Sequence, residues 1–192
     1  CRKGRYRRTR QGTLRKQKRA KLASVRHISN RPKSVEGRKW YGHWEGDTVH
    51  GTGKSGYIAT FVERKSGYLM AKLITTKEFS NASAVFADVA THCLSQVPEN
   101  YRKTLTLDNG PEMKLPERIE RKTGAKVYYA TPYHSWERGT NENTNGLLRY
   151  FFPKKMSFAH LIQKDIDEAV HLLNTRPRKR HNWRTPEQML KV

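Results

Sequence analysis

The sequence is short of cysteine, of acidic residues and of long apolar runs, and each shortage excludes something. Its 192 residues hold two cysteines, Cys1 and Cys93. They form neither a CxxC pair nor a disulfide framework, which argues against a structural zinc site and fits a reducing compartment. No apolar run approaches the roughly 18 residues of a membrane span, and no signal-peptide pattern opens the chain, so no membrane partner is expected. Asp and Glu total 17 against 39 Lys and Arg, a formal net charge of +22. That balance excludes an ordinary small-metabolite enzyme and points to a polyanion, most simply nucleic acid. Hydrophobic residues make up 35% of the chain. The length suits one domain with a real core, but part of the chain is expected not to pack.

The charge is unevenly placed. Residues 1–39 carry 16 Lys or Arg and one acid, Glu36, and residues 40–192 carry 23 bases and 16 acids. The composition therefore divides the chain into a basic flexible arm over 1–39, a folded domain over 40–175 and a basic tail over 176–192. The first 22 residues hold only Leu14 and Leu22 as aliphatic anchors, too little apolar surface to offset the entropy of ordering them. Arg5, Arg7, Arg8, Arg10, Arg15 and Lys16 in this arm are expected to track DNA phosphates. The chain opens on Cys1 rather than Met and is expected to be a fragment.

The folded part reads as an alternation of elements. HWEGDTVHG (43–51) predicts a strand, GTGKSG (51–56) a turn, and GYIATFVERKSGYLMAKLITT two more strands with a turn at Ser66-Gly67. A helix over 80–97 follows, with Ser80 or Asn81 as its cap. Then come a strand over 103–110, a short helix ended by Gly124 and a strand over 125–131. A polar segment from Glu142 to Tyr150 precedes a last amphipathic helix within 157–177. Three antiparallel strands followed by helix, strand, helix, strand, helix is the order of an RNase H-like α/β domain with a mixed five-stranded sheet flanked by helices. Gly53-Lys54-Ser55 mimics the end of a P-loop, but Thr48 stands where the first glycine is needed and a strand follows, so no nucleotide site is assigned. Lys54 at the turn remains a candidate phosphate contact.

In so basic a chain, acids at strand ends are informative. Asp47 lies inside a strand, where aspartate is depleted; Asp108 ends another, in LTLDNG; Glu142 lies near a helix start, in GTNENTNG. Each alone has an ordinary reading as a turn, cap or ion-pair residue. Together they are the hard oxygen ligands that Mg²⁺ prefers, and three carboxylates on different elements suffice to bracket two ions for phosphodiester chemistry. Around them, His134, Trp136, Arg138, Asn141 and Asn145 crowd one loop. Arginine suits a phosphate, tryptophan a stacked base and asparagine a base edge. Arg149, Lys154 and Lys155 follow as candidate backbone contacts.

HWEGD (43–47), TLDNG (106–110), TPYHSWERGTNENTNGLLR (131–149), LNTRPRKR (173–180) and TPEQML (185–190) resemble the transposases of the bacterial IS thirty insertion-sequence family. The resemblance covers about residues 26–192, and the 131–149 block is its most specific part. It implies a DDE transposase core of the retroviral-integrase type, with Asp47, Asp108 and Glu142 as catalytic and metal-binding triad. The 33 residues between Asp108 and Glu142 favour Glu142 over Glu137. It implies two Mg²⁺ ions, with Mn²⁺ as a substitute, and double-stranded DNA as substrate, both element ends and target. It further implies a homodimer or larger assembly in the bacterial cytoplasm, at the nucleoid. The helix-turn-helix region usual at the family's N-terminus is not seen before residue 26, and the segment after Asp108 departs from the family's aromatic-containing pattern. Two other readings stand beside it. One is an inert DNA-binding fragment or regulator derived from a transposase; the other is a plain RNase H-like nuclease.

Overall fold

The structure, a computed structural model, describes residues 26–132 and 134–190. The arm residues Arg5, Arg7, Arg8, Arg10, Arg15 and Lys16 lie outside the described residues. Five strands form one sheet: β1 (His43–His50), β2 (Tyr57–Glu63), β3 (Leu69–Ile74), β4 (Thr104–Leu107) and β5 (Lys126–Tyr129). Their order is β3-β2-β1-β4-β5. β1, β2 and β3 pair antiparallel, while β4 joins β1 and β5 joins β4 in parallel. Parallel neighbours need crossover connections, and two helices supply them: α1 (Ala82–Ser95) before β4 and α2 (Pro116–Thr123) before β5. Three further helices follow, α3 (Gly139–Leu148), α4 (Gln163–Thr175) and α5 (Pro186–Leu190).

Both faces of the sheet are covered, which explains why β2 is buried along its whole length. Its side chains alternate with period two. Tyr57, Ala59 and Phe61 join Phe86 and Leu94 of α1 and Ile119 of α2 in one cluster. Ile58 and Val62 join Leu148 of α3 and Ile166 and Leu173 of α4 in the other.

The sheet's two edges are occupied. On β3, the Leu69 N–H donates to Asn174 Oδ1 and the Leu69 carbonyl accepts from Asn174 Nδ2, both at 2.8 Å. Gln163 repeats the pattern, accepting from Leu73 N at 2.9 Å and donating to the Ala71 carbonyl at 3.3 Å. On β5, Tyr129 N donates to the Arg26 carbonyl at 2.7 Å and His27 makes a bridge alongside.

Several boundaries differ from expectation. α1 has no side-chain cap from Asn81. A 3-10 turn over Thr76–Asn81 precedes it, opened by a capping box of Thr75 and Glu78, so the start signal sits six residues before the helix. The last long helix begins at Gln163, not near 157, because Asp165 accepts from Ile162 N at 2.8 Å and fixes the first turn there. The segment assigned to a basic tail folds back, and Leu190 of α5 is fully buried in the first cluster. Residues 31 and 35, assigned to the arm, also pack: Val35 is fully buried and Arg31 donates to Thr106 Oγ1 at 3.0 Å.

Candidate active site

β1 and β4 bring two of the three acids together. The last paired residues of these parallel strands are Glu45 and Thr106, and Asp47 and Asp108 each lie two residues beyond. Both carboxylates therefore leave the sheet at the same level. A Cβ on Gly46 would stand 2.5 Å from Leu107 Cδ2, so any larger residue there must push the Leu107 side chain aside. Asp108 turns the chain by accepting from Gly110 N at 2.7 Å, as an Asp-Asn-Gly turn requires.

Arg138 spans the two acids. Its Nη1 lies 3.3 Å from Asp47 Oδ2 and its Nη2 3.7 Å from Asp108 Oδ2. Asn145 Nδ2 donates to the same Asp47 oxygen at 3.0 Å, and Thr48 N donates to Asp47 Oδ1 at 2.9 Å. Burial pushes the Asp47 pKa up, and the Asp108 charge adds to that; Arg138 and the Thr48 N–H pull the other way. Two carboxylates at this distance need a cation, and the guanidinium is the one in place.

α3 presents a polar stripe to the sheet because Asn141 and Asn145 are four residues apart. Asn145 Oδ1 accepts from the Thr60 hydroxyl at 3.0 Å. Asn141 N donates to Glu45 Oε2 at 2.9 Å, so a buried carboxylate holds the first turn of the helix. Glu45 is paired in turn with Arg64 at 3.4 Å.

The remaining expected site residues are placed as follows. Glu142 lies in the first turn of α3, exposed. Among the described residues, no three of His, Cys, Asp and Glu are grouped to hold a metal. The structure thus joins Asp47 to Asp108 and leaves Glu142 outside that pair. Asn141, expected at the DNA surface, is fully buried, because the sheet-facing stripe of α3 claims it. His134 and Arg138 line a cleft of about 300 Å³ with Asp108 and Thr131. The side chain of Trp136 lies outside the described residues. Arg149 donates to the carbonyls of His50 at 3.1 Å and Phe152 at 3.3 Å. Lys54, Lys154 and Lys155 are exposed. Glu137 accepts from Thr131 N at 2.7 Å and its hydroxyl at 3.0 Å, which ties down the loop.

Sequence reasoning missed Glu45, Thr60 and Glu112, the last of which accepts from the Thr48 hydroxyl at 3.0 Å. Glu45 carried a signal, since a second acid inside the strand containing Asp47 is out of character for a β-strand. The donor chemistry of Asp47 and Asp108 fits a hard divalent ion: two carboxylates at one level, now bridged by a single displaceable guanidinium.

A mixed sheet of this order, with one carboxylate on β1 and one just past the end of β4, has the RNase H-like fold of integrase cores. The catalytic core domain of BIV integrase superposes with a TM-score of 0.60 over 78% of this chain and 93% of that one, at 19% identity. In sequence, the chain is 39% identical over 163 residues to the InsI transposase of insertion sequence element IS30A from Escherichia coli strain K12, covering 85% of this chain and 41% of that protein. It is 37% identical over 173 residues to the transposase of insertion sequence element IS1086 from Cupriavidus metallidurans, covering 90% of this chain and 50% of that protein. No protein-family model matches. The chain spans half or less of the length of these two relatives. Over that span its sequence is similar to the insertion-sequence transposases of the IS30 type.

Proposed function

We propose that the chain is the catalytic core of a DNA transposase, which cleaves a phosphodiester at an element end and joins the freed 3′-hydroxyl to target DNA. The observation that carries this reading is the pair of carboxylates at one level of β1 and β4, spanned by Arg138. Asp47 and Asp108 would hold divalent metal, with Glu142 on α3 as the third ligand. When bound, two Mg²⁺ or Mn²⁺ ions lower the pKa of the attacking hydroxyl and offset the charge that builds on the transferred phosphoryl group.

The chain's own residues do the positioning. Asn145 holds one oxygen of Asp47 and Thr48 N the other, so the carboxylate plane is set before any ligand arrives. Arg138 holds the two acids together at 3.3 and 3.7 Å, and with metal on the acids it would be free to meet a DNA phosphate. His134 and Arg138 face the cleft beside Asp108, where a strand end would lie. In the joining step the 3′-oxygen bonds to a target phosphorus, its proton leaves to solvent, and the target's own 3′-oxygen departs, so no covalent protein intermediate forms. Lys54, Arg149, Lys154, Lys155 and the arm cations would hold the DNA backbone. The active assembly is a dimer or larger, working on DNA in the bacterial cytoplasm. No helix among the described residues is long and apolar enough to cross a membrane.

The test is a nicking and strand-transfer assay on labelled supercoiled plasmid with Mg²⁺ or Mn²⁺. Asp47→Asn, Asp108→Asn and Glu142→Gln should each lower product by at least about 10²-fold, the effect of removing one transition-state stabilising group, while DNA binding persists. Binding without any product in the unaltered chain would favour the inert-fragment reading. Hydrolysed ends without joined strands would favour a plain nuclease. An active Glu142→Gln variant would remove Glu142 from the ligand set.

A further inference from the structure

The α3 helix borders a second polar pocket, on a flank beside its sheet-facing stripe. It has a volume of about 250 Å³ and is lined by Gly139 and Thr140 of the first helical turn and by Arg38, Arg178, Lys179 and Arg180. Asn141 and Asn145 face the sheet. At 3.6 residues per turn, positions 140 and 144 flank that sheet-facing stripe, both buried beside it, and 143 and 147 lie further round towards solvent. The two sites therefore share one helix and none of their lining residues.

Three observations point to an anion. First, four cations converge from two distant stretches of chain, and among the described residues none of them takes part in an ion pair. The acid nearest in sequence to Gly67 of the pocket, Glu63, is already engaged by Ser66 and by the Gly42 N–H. Second, Thr140 is only 5% exposed, and its hydroxyl is buried without a hydrogen-bond partner. A buried polar group left unpaired calls for a partner, and a ligand in the pocket that Thr140 lines would supply one. Third, the pocket borders the first turn of a ten-residue helix, whose dipole favours negative charge; the Asn141 N–H of that turn is already taken by Glu45.

The cations are held in place. Arg178 N donates to the Arg184 carbonyl at 3.0 Å, closing the 178–184 loop. His181 Nε2 stands 2.8 Å from the Ser66 carbonyl oxygen, which pins that loop to the turn between β2 and β3. The Arg180 guanidinium lies over Gly67, where an added Cβ would stand 2.3 Å from Nη2. Arg38, Lys179 and Arg180 are exposed, so the mouth of the pocket is open to a polymer and not only to a small ion.

We propose that this pocket binds a phosphate group of the DNA backbone, at a point separate from the carboxylate site. A phosphodiester offers two anionic oxygens for charge-assisted bonds, one to a guanidinium and one to the Thr140 hydroxyl and the helix N–H groups. That the polymer is DNA rests on the function proposed above; that the ligand is a phosphate rests on the pocket alone. The site would fix the α3 helix against the duplex at a point other than the one where the chemistry occurs.

The test measures binding of a labelled DNA duplex by fluorescence anisotropy in EDTA across a salt series, with calorimetric titration of inorganic phosphate in parallel. Arg180→Gln should flatten the slope of log K against log salt by about 0.9, the value for one phosphate contact on B-DNA, and Arg180→Lys should restore it. Thr140→Val, which keeps the shape and adds no charge change, should weaken binding about tenfold with the slope intact. A melting temperature equal to that of the unaltered chain shows each variant is folded. Unaltered slope and affinity in both Arg180→Gln and Thr140→Val overturn the proposal. Loss of inorganic phosphate binding in these variants with no change on DNA overturns the DNA source and leaves a small-anion site. The assay contains no metal and reads binding alone, so a failure to nick plasmid and a failure to lose slope are separate results.

Discussion

A single guanidinium bridges two carboxylates and offsets half their charge, with Asp47 and Asp108 at 3.3 and 3.7 Å from Arg138. Replacing it by glutamine leaves two like charges facing each other. Arg138→Gln should cost about 1–2 kcal/mol of stability without metal, the low end for a broken pair because both acids are partly exposed. Millimolar Mg²⁺ should then raise the melting temperature more in the variant than in the unaltered chain; an equal rise would mean that Arg138 does not compete for that place. His43 gives a pH prediction. It is 6% exposed, and burial, aided by Lys103, Arg64 and Arg31, lowers its pKa from 6.5 to about 4. The unfolded chain therefore takes up the proton first as pH falls. The stability tied to neutral His43 is whole above pH 6.5 and is lost progressively down to about 4, by about 3 kcal/mol in all. Urea midpoints at pH 7 and 4.5 should show this loss, and His43→Gln should shrink it. At this scale, Asp47 and Asp108 were legible because aspartate inside or ending a strand is conspicuous. The burial of Asn141 was not, since an asparagine in a polar segment gives no sign of which side of its helix meets the sheet.

Among the elements, β1 and β4 set the site. Gly46→Ala places a methyl against Leu107. That overpacking should cost roughly 1–3 kcal/mol, seen as a lower urea midpoint, and Gly46→Ala with Leu107→Ala in one chain should lose less than the two single losses added together. If the double variant is no better than the sum of two losses, the close contact is not the cause. Element order and type were readable from period-two alternation and from glycine and proline breaks. The ends were harder. Thr75 and Glu78 form a capping box on a 3-10 turn, not on α1, because a cap fixes the first turn and says nothing about the pitch that follows. The packed helix α5 was hidden inside a run rich in arginine, since only Pro186 and Leu190 of its five residues are buried.

At the scale of the molecule, charge and fold are in tension. A net charge of +22 repels itself in the compact state, so the melting temperature should rise with added salt or with a polyanion such as heparin, and more steeply with the polyanion at equal ionic strength. A rise no larger with heparin than with simple salt would mean that the cations are spread too evenly to grip a polymer. Composition alone announced a polyanion partner, but not that cations from residue 38 and residues 178–180 would meet beside α3, because that convergence depends on tertiary folding.

The amides of Asn174 and Gln163 bond the open edge of β3 as a neighbouring strand would. An unprotected edge invites another chain to continue the ladder, and this is a common first step towards fibrils. Here each amide offers a carbonyl and an N–H in the pairing a peptide would use, and the backbone near Arg26 shields the opposite margin. Among the described residues, a second copy meeting either margin therefore finds side-chain amides or the chain's own backbone already bonded to it.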